Sequence, residues 1–550
     1  MRHFWLKWRL AFGLLAAGAT QALTYAPEPL PSWSLSLVQF ATMALLVACV
    51  WRAPSPLYAA RRAWLFGLAH FAVGLYWLTI SMHVYGLMPL PLAIASLLAL
   101  SGYLSLFIAL AAWLTKRIGF DPTRAPNVLG APVWAALIWA AAWTLSEWLR
   151  ANLFTGFPWL SSGYAHVDSW FAPWASLLGV YGVSFITAFV AAVIAGLIMK
   201  DPQQREASQP SYAIAGVIAL IIGLLGWGLG KINWTKPVGS PIALRLIQGN
   251  IEQGLKFTPA HLQEAIAQHL NLAQTPTPTN SPTPAAILLP ETVLAVFQHQ
   301  LAPSVWQAWI EVAKKQSATL LMGSALFNAQ DRSYTNSVIG ITPDTTVEQV
   351  QLAATGLRYD KHHLVPFGEF IPWGFRWFVD LMSIPMGDFH RGAKTQPPFL
   401  VKDQLIAANI CYEDIFGGEL LSAIGQAPNV ASTISGATIL ANFSNLGWFG
   451  DSWALRQHWQ MARMRSIETS RPTVRATNTG VTGAINQHGQ VIATLPTHRA
   501  GVLDVSVQGQ QGTTPYARVG DWASLLLSLA ILSAALLMKV RVNNREHPNA

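Results

Sequence analysis

The sequence predicts an α-helical membrane bundle of eight transmembrane helices carrying one α/β domain on the outer face of the membrane. Three observations lead there. Charged residues make up only 11% of the 550 positions against 52% hydrophobic, too few to cover a soluble globule of this size. Eight uncharged apolar stretches are each long enough to cross a hydrocarbon layer of about 30 Å. Between the last two of them lies a long block in which β-rich runs alternate with helical patterns.

The apolar stretches lie near residues 10–24, 32–51, 63–82, 87–115, 129–146, 169–199, 211–230 and 522–538. The first follows Arg2, Lys7 and Arg9 and ends in AGATQA, a pattern shared with signal peptides; it is taken as an uncleaved helix. The fourth and sixth are long enough to tilt or to hold a re-entrant piece. Basic residues collect at alternate connections: Arg52, Arg61 and Arg62; Lys116, Arg117 and Arg124; Lys200 and Arg205; Lys539, Arg541 and Arg545. Residues 25–31 and 83–86 carry none, and the connection after the fifth stretch has only Arg150. Basic connections remain cytoplasmic, so both termini are expected in the cytoplasm. Three regions result: a seven-helix membrane part over 1–230, an outer-face domain over 231–521, and an eighth helix with a cytoplasmic tail over 522–550. This bias accounts for most of the net charge of +9, and no nucleic-acid signature is left over.

After the connector KINWTKPVGS the block opens into ALRLIQGNI, AAILLP, ATLLMGSAL, SYTNSVIGIT, LIAANICY, TILANFS, TVRATN and AGVLDVSV. Helical patterns over 259–273, 301–316 and 452–470 separate several of these. Layered sheets covered by helices follow. TPTPTNSPTP near 275–284 reads as an exposed loop.

Three segments carry candidate chemistry. In LLPET, Glu291 ends an apolar strand, where a carboxylate can face a cleft; alone it is equally a surface turn. In YDKHHLVPFGEFIP, Lys361 and Glu369 flank a Pro-Phe-Gly turn, alone no more than a solvated loop. In LIAANICYEDIF, Cys411 ends a hydrophobic strand ahead of Tyr412, Glu413 and Asp414, and a strand-to-helix turn offers amides and a helix end that favour thiolate. Cys49, the other cysteine, lies in the second apolar stretch, so no disulfide is expected, and a buried apolar thiol is the bland alternative for Cys411. His362, His363 and His390 lack the spacing of a metal site, and no cofactor is expected.

In chain order Glu, Lys, Cys, at strand ends of an α/β domain, these segments resemble the triad of the nitrilase superfamily. With membrane helices on both sides, the chain resembles the apolipoprotein N-acyltransferase family of bacterial inner membranes. GLYWLTISMHVYGLMP, GFPWLSSGYAH, IQGNI, ARMRSIE and RATNTGVTGAIN also look like that family, and the likeness spans nearly the whole length. The chain departs from it at Asn445-Leu446-Gly447-Trp448-Phe449-Gly450, where the family usually has Asn-Asp-Ala-Trp-Phe-Gly, and at Phe257, often Trp.

The resemblance implies a nitrilase-like αββα sandwich in the periplasm and a ping-pong acyltransferase. Glu291 would be the general base, Lys361 the oxyanion partner and Cys411 the nucleophile. Glu369, Tyr412 and Glu413 would support them, and Phe257 and Trp448 would contact substrate. The implied partners are a phospholipid acyl donor, a diacylglyceryl-modified apolipoprotein acceptor and the bilayer. Residues 370–389, FIPWGFRWFVDLMSIPMGDF, either pack internally or form an arm into the membrane interface. His70, His83, Glu147 and Arg150 either shape a lateral opening or pair within the bundle. Two other classes share these features: a membrane-tethered amidohydrolase that passes the acyl group to water, and a non-enzymatic transporter or scaffold.

The charge asymmetry predicts that a reporter fused after residue 240 is active only on the periplasmic side and one after residue 205 only in the cytoplasm; the reverse pattern would sink this topology.

Overall fold

The computed structural model describes residues 2–26, 29–119, 131–199, 205–256, 258–279, 281–330, 332–377, 388–425 and 436–546. They form two compact units. One comprises Met1–Tyr76, Pro91–Ile232 and Val519–Ala550; the other comprises Trp77–Leu90 and Asn233–Arg518.

In the first unit each apolar stretch of the sequence overlaps a helix: Arg2–Ala22, Ser32–Trp51, Pro56–Gly74, Leu90–Ile118, Ala131–Asn152, Ala175–Ile198, Arg205–Leu229 and Trp522–Glu546; the stretch expected over 63–82 is broken after Gly74, and its end belongs to the second unit. Among the described residues four spans meet the length and apolarity of a membrane crossing on their own: Ser32–Trp51, Leu90–Ile118, Ala172–Ile198 and Trp522–Val540. Pro56–Gly74 with Leu78–Tyr85 makes a fifth if that broken pair is one span. Ala213–Leu229 is a shorter apolar helix.

Local chemistry sets the helix ends and their packing. Pro56 opens its helix at the first turn, where the missing N–H costs nothing, and the Ser55 hydroxyl accepts from Tyr58 N. Gly18 lets two helices touch, since a Cβ there would lie 2.0 Å from Phe66 O. Arg150 is buried and donates to Phe157 O at 2.5 Å, Trp159 O at 2.6 Å and Ser161 Oγ at 3.0 Å. Glu147 accepts from Ser162 N at 2.8 Å. Arg150 and Glu147 are thus each held inside the bundle by backbone and hydroxyl groups.

The second unit contains two six-stranded sheets. The first runs, in spatial order, Gly501–Val507, Ile242–Gln248, Ala286–Leu288, Thr319–Asn328, Ser333–Ile341 and Leu357–Asp360. The second runs Val491–Thr494, Gly483–Ile485, Thr473–Thr477, Ile439–Ser444, Gln404–Ile410 and Phe399–Val401. The central three strands of each sheet are parallel, with antiparallel strands at the edges.

Strand periodicity builds the layers. In Ile242–Gln248 the side chains of Ile242, Leu244 and Leu246 join a core with Ile406, Ile439 and Val474 of the other sheet. Ile247 points the opposite way, into a second core with Trp306, Trp309 and Ile310 of the helix Pro303–Gln316. Ala407 and Leu440 face a third cluster with Leu420 of the helix Gly417–Ile424. An alternation of two along each strand thus feeds helix, sheet, sheet and helix in turn. Arg245, on the helix-facing side, is fully buried. It is satisfied by Asp504 at 2.8 and 2.9 Å and by Thr275 O and Thr277 Oγ1, which fastens the start of the Thr-Pro loop to the sheet.

Trp77–Leu90 packs as part of this unit. The Trp77 indole N–H donates to Gln457 Oε1 at 3.1 Å and its ring lies edge-on to Phe449 at 4.5 Å. Tyr85 meets Trp448 edge-on at 5.7 Å.

One glycine controls how the first sheet presents its strand end. A Cβ on Gly323 would fall 2.5 Å from Glu291 Cα and 2.6 Å from Pro290 O, both backbone atoms that cannot swing aside. Gly323→Ala is expected to cost about 1–3 kcal/mol through this overpacking, seen as a lower thermal midpoint. An unchanged midpoint would mean that the Pro290–Thr292 turn yields freely.

Candidate functional site

Four strands end on one side of the sandwich, and each delivers a polar residue there. Glu291 follows Ala286–Leu288, Lys361 follows Leu357–Asp360, Cys411 follows Gln404–Ile410 and Asn445 follows Ile439–Ser444. Parallel pairing aligns the carboxyl ends of three of them, and Leu357–Asp360 runs the same way as Thr319–Asn328 through two antiparallel pairings; the loops that follow are free to carry chemistry. Two of the turns are strained: Cys411 has φ 52° and Thr292, next to Glu291, φ 54°. Non-glycine residues hold such angles only where their surroundings dictate them.

Lys361 is 1% exposed, and its Nζ lies 2.9 Å from Glu369 Oε1 and 3.4 Å from Glu291 Oε1. The Asn336 amide donates to the same two oxygens, each at 2.7 Å. The remaining carboxylate oxygens take backbone donors: Asn445 N to Glu291 Oε2 and Val365 N to Glu369 Oε2, both at 2.8 Å. Burial opposes the charge of Lys361, but Glu369 and then Glu291 hold its ammonium above the ordinary lysine range.

Cys411, partly exposed, belongs to the same electrostatic cluster. The sequence suggested a turn that favours thiolate, and the structure reverses this. Burial first, and then the Glu291 carboxylate, push the thiol up, with Lys361 and the Asn445 amide acting against them. The segment after the strand is a 3₁₀ turn, Cys411–Ile415, and the helix expected beyond the acidic run follows at Gly417–Ile424. The dipole of the turn is too short to outweigh a neighbouring carboxylate. The thiol therefore needs a base.

Glu413 ties the nucleophile strand to the lysine segment. It is buried and accepts from Ile410 N and His362 N at 2.7 Å, His363 N at 3.1 Å and Tyr359 Oη at 2.9 Å. Burial pushes its carboxyl above the usual range. Tyr412 packs edge-on to Phe416 at 5.1 Å and His363 at 5.7 Å. The three histidines are dispersed: His362 Nδ1 bonds Gly392 O, His363 Nδ1 lies 2.7 Å from Glu419 and His390 rests on Tyr334. Trp448 lies in the loop that begins at Asn445. Phe257 lies outside the described residues, as do 378–387 of the aromatic segment. Within the rest of that segment, Trp373 is 98% and Trp377 66% exposed.

Several members of the site carried no signal in the sequence. Asn336 and Asn445 sit in ordinary strand and loop contexts. Behind Cys411, Asp414 binds His458 Nε2 and Arg475 Nη1, and Arg475 Nη2 donates to His458 Nδ1 at 2.9 Å. With Nδ1 accepting, Nε2 carries the proton, so His458 is neutral, as burial favours. Only the acidic run after Cys411 hinted at this network.

A thiol, a carboxylate fixed to act on it and a permanently charged ammonium supply the parts for acyl transfer through a covalent intermediate.

Comparison with known proteins agrees with this chemistry. Residues 17–193 match the apolipoprotein N-acyltransferase N-terminal domain, and residues 244–516 match the carbon-nitrogen hydrolase family. Apolipoprotein N-acyltransferase of Bordetella bronchiseptica is 51% identical over 96% of this chain and 97% of its own length. The enzyme of the same name from Ralstonia nicotianae is 41% identical over 95% and 92%. That of Nitrosomonas europaea is 36% identical over 96% and 97%. With its helical amino-terminal part and its sandwich both matched, and with relatives alike from end to end, the chain belongs to the apolipoprotein N-acyltransferase family.

Proposed function

We propose that this chain moves an acyl group from a phospholipid, by way of a thioester on Cys411, to the amino-terminal amine of a diacylglyceryl-modified lipoprotein. The observation that carries the reading is the Glu291–Lys361–Glu369 cluster, held by Asn336 and Asn445 at the strand ends beside Cys411. In the first half-reaction Glu291 takes the thiol proton as sulfur attacks the ester carbonyl. Lys361 faces the developing oxyanion. The C–O bond then breaks and the proton passes to the departing glycerol oxygen, leaving lysophospholipid and acyl-enzyme. In the second half-reaction the amine attacks the thioester carbon, the C–S bond breaks and sulfur recovers a proton through Glu291.

Glu369 keeps Lys361 charged and aimed, while Tyr412 and Glu413 hold the nucleophile turn. Phe257 and Trp448 contact the acyl donor. Exposed Trp373 and Trp377 suit an arm reaching the membrane interface, where indoles partition well. The chain is read as an inner-membrane protein crossing eight times, with residues 231–521 in the periplasm and both termini in the cytoplasm. The helices at all eight apolar stretches and the basic connections support this.

A thioester that waits for an amine distinguishes a transferase from a hydrolase. Given phospholipid without an amine acceptor, detergent-solubilised protein is expected to release lysophospholipid in a burst near one equivalent per site. Its mass should rise by one acyl group, and a diacylglyceryl-modified peptide should discharge it. Cys411→Ala should show neither burst nor adduct. Steady release of fatty acid without the peptide would favour the amidohydrolase-like reading instead.

Lys361→Arg keeps the charge but replaces a compact ammonium by a broad planar fork in a site with no spare room. Turnover is expected to fall at least about a hundredfold, as for loss of an oxyanion donor. Near-normal turnover would remove Lys361 from the mechanism.

A further inference from the structure

The two half-reactions differ in their proton balance. Forming the thioester only relays a proton: it leaves Cys411 and ends on the glycerol oxygen. Aminolysis starts from an amino terminus whose ordinary pKa is about 8 and which is mostly an ammonium at neutral pH. It must lose two protons as the C–N bond forms and the C–S bond breaks. One returns to sulfur through Glu291. The other needs a second acceptor. Lys361, locked between two carboxylates, holds its proton too firmly to serve.

Lys256 lies against the backbone of Glu291 and has no part in the steps above. It ends the Glu252–Lys256 turn, where Lys256 N donates to Glu252 O at 3.0 Å. That segment is pinned to the site by Ile251 N on Asn478 Oδ1 at 2.8 Å and by Gln253, whose Oε1 accepts from Asn445 Nδ2 at 2.9 Å. Lys256 is 2% exposed. Its Nζ makes one hydrogen bond among the described residues, to the backbone oxygen of Glu291 at 3.3 Å. A buried ammonium ordinarily recruits a close carboxylate or several acceptors; this one has neither. A free amine would use one N–H on Glu291 O and keep its lone pair for something else.

The geometry points to Lys256 as the base that removes the first proton from the incoming amino terminus, leaving Glu291 to carry the second to sulfur. The inference rests on the acyl-transfer reading given above. Its electrostatics agree. Burial lowers Lys256 to about 8, against the opposing pull of Glu291, so its affinity for a proton matches that of an α-amine. The other titratable groups acting on it leave this intact: His269, which burial brings to about 4, stays neutral, and Lys361 is engaged on the carboxylate side of Glu291. Once Lys256 has accepted the proton and passed it to solvent, the site is ready for the next turnover.

The test separates the half-reactions in the full chain. Lys256→Met is loaded with phospholipid in detergent, and the burst of lysophospholipid is measured. The adduct is then discharged with a diacylglyceryl-modified peptide bearing a free amino terminus, followed by mass between pH 7 and 9. The burst is expected to stay within about twofold of the parent protein, while discharge at pH 7 slows about tenfold. The deficit should close towards pH 9, where the peptide amine is already neutral. Lys256→Gln keeps a donor for Glu291 O but has no basic lone pair; it should behave like the Met variant, and serves alone if that one does not fold. A burst that falls as far as the discharge, or a deficit unchanged from pH 7 to 9, would overturn the proposal and leave Lys256 a packing residue. If the parent forms no adduct on Cys411, the fault lies with the thioester reading rather than with Lys256.

Discussion

Two carboxylates share one buried ammonium, and the geometry of the sandwich around them follows from that constraint. Glu291 comes from one segment and Lys361 and Glu369 from another, and each is nearly inaccessible to water. Charges so placed are tolerable only with close partners, and removing one would leave the others uncompensated. Asn336 lies between the two carboxylates and gives one N–H to each, which fixes their separation as well as their charge. The demand passes outward. Asn336 is on the strand Ser333–Ile341, whose register against Thr319–Asn328 is fixed over nine residue pairs. A slip of one residue there would turn Asn336 away from the site and bring a neighbour in its place.

The same electrostatics decide how the nucleophile works. Burial and the neighbouring Glu291 hold the Cys411 thiol above its ordinary range, so on the proposed reading the reactive form arises when Glu291 takes its proton. The second layer is built for rigidity. Asp414, His458 and Arg475 form a closed triangle under the 3₁₀ turn, and Asn442 Nδ2 donates to Cys411 O at 3.1 Å. These contacts give the left-handed backbone at Cys411 its support.

What the sequence disclosed, and what it hid, divides along physical lines. Apolar runs and period-two alternation are local, so the helices and the layered sandwich were legible. Glu291, Lys361 and Cys411 stood out because each ends a strand-like run, and their order in the chain made them a pattern. Asn336 and Asn445 did not stand out. They are 45 and 154 residues from the Glu291 carboxylate they hold, and amides at strand ends are common. Lys256 hid for another reason: a lysine beside an aromatic residue reads as surface, and only its burial beside Glu291 makes it unusual. The thiolate expectation failed because a turn's dipole was weighed without the carboxylate that folding brings up to it.

Trp77–Leu90 belongs to the catalytic unit although it is spelled among the membrane helices. Its anchor, Trp77, finds Gln457 only 380 residues later in the chain. During synthesis this short strip emerges long before the helix that receives it, so its indole and the Tyr85 ring have to wait unpaired while the sandwich is made. Closure of so long a loop comes late in folding. The earliest segment of the catalytic unit therefore has no partner to dock on until the helix Trp453–Thr469 has been made. A sandwich cut free at residue 233 would lack that strip beneath Trp448 and Phe449.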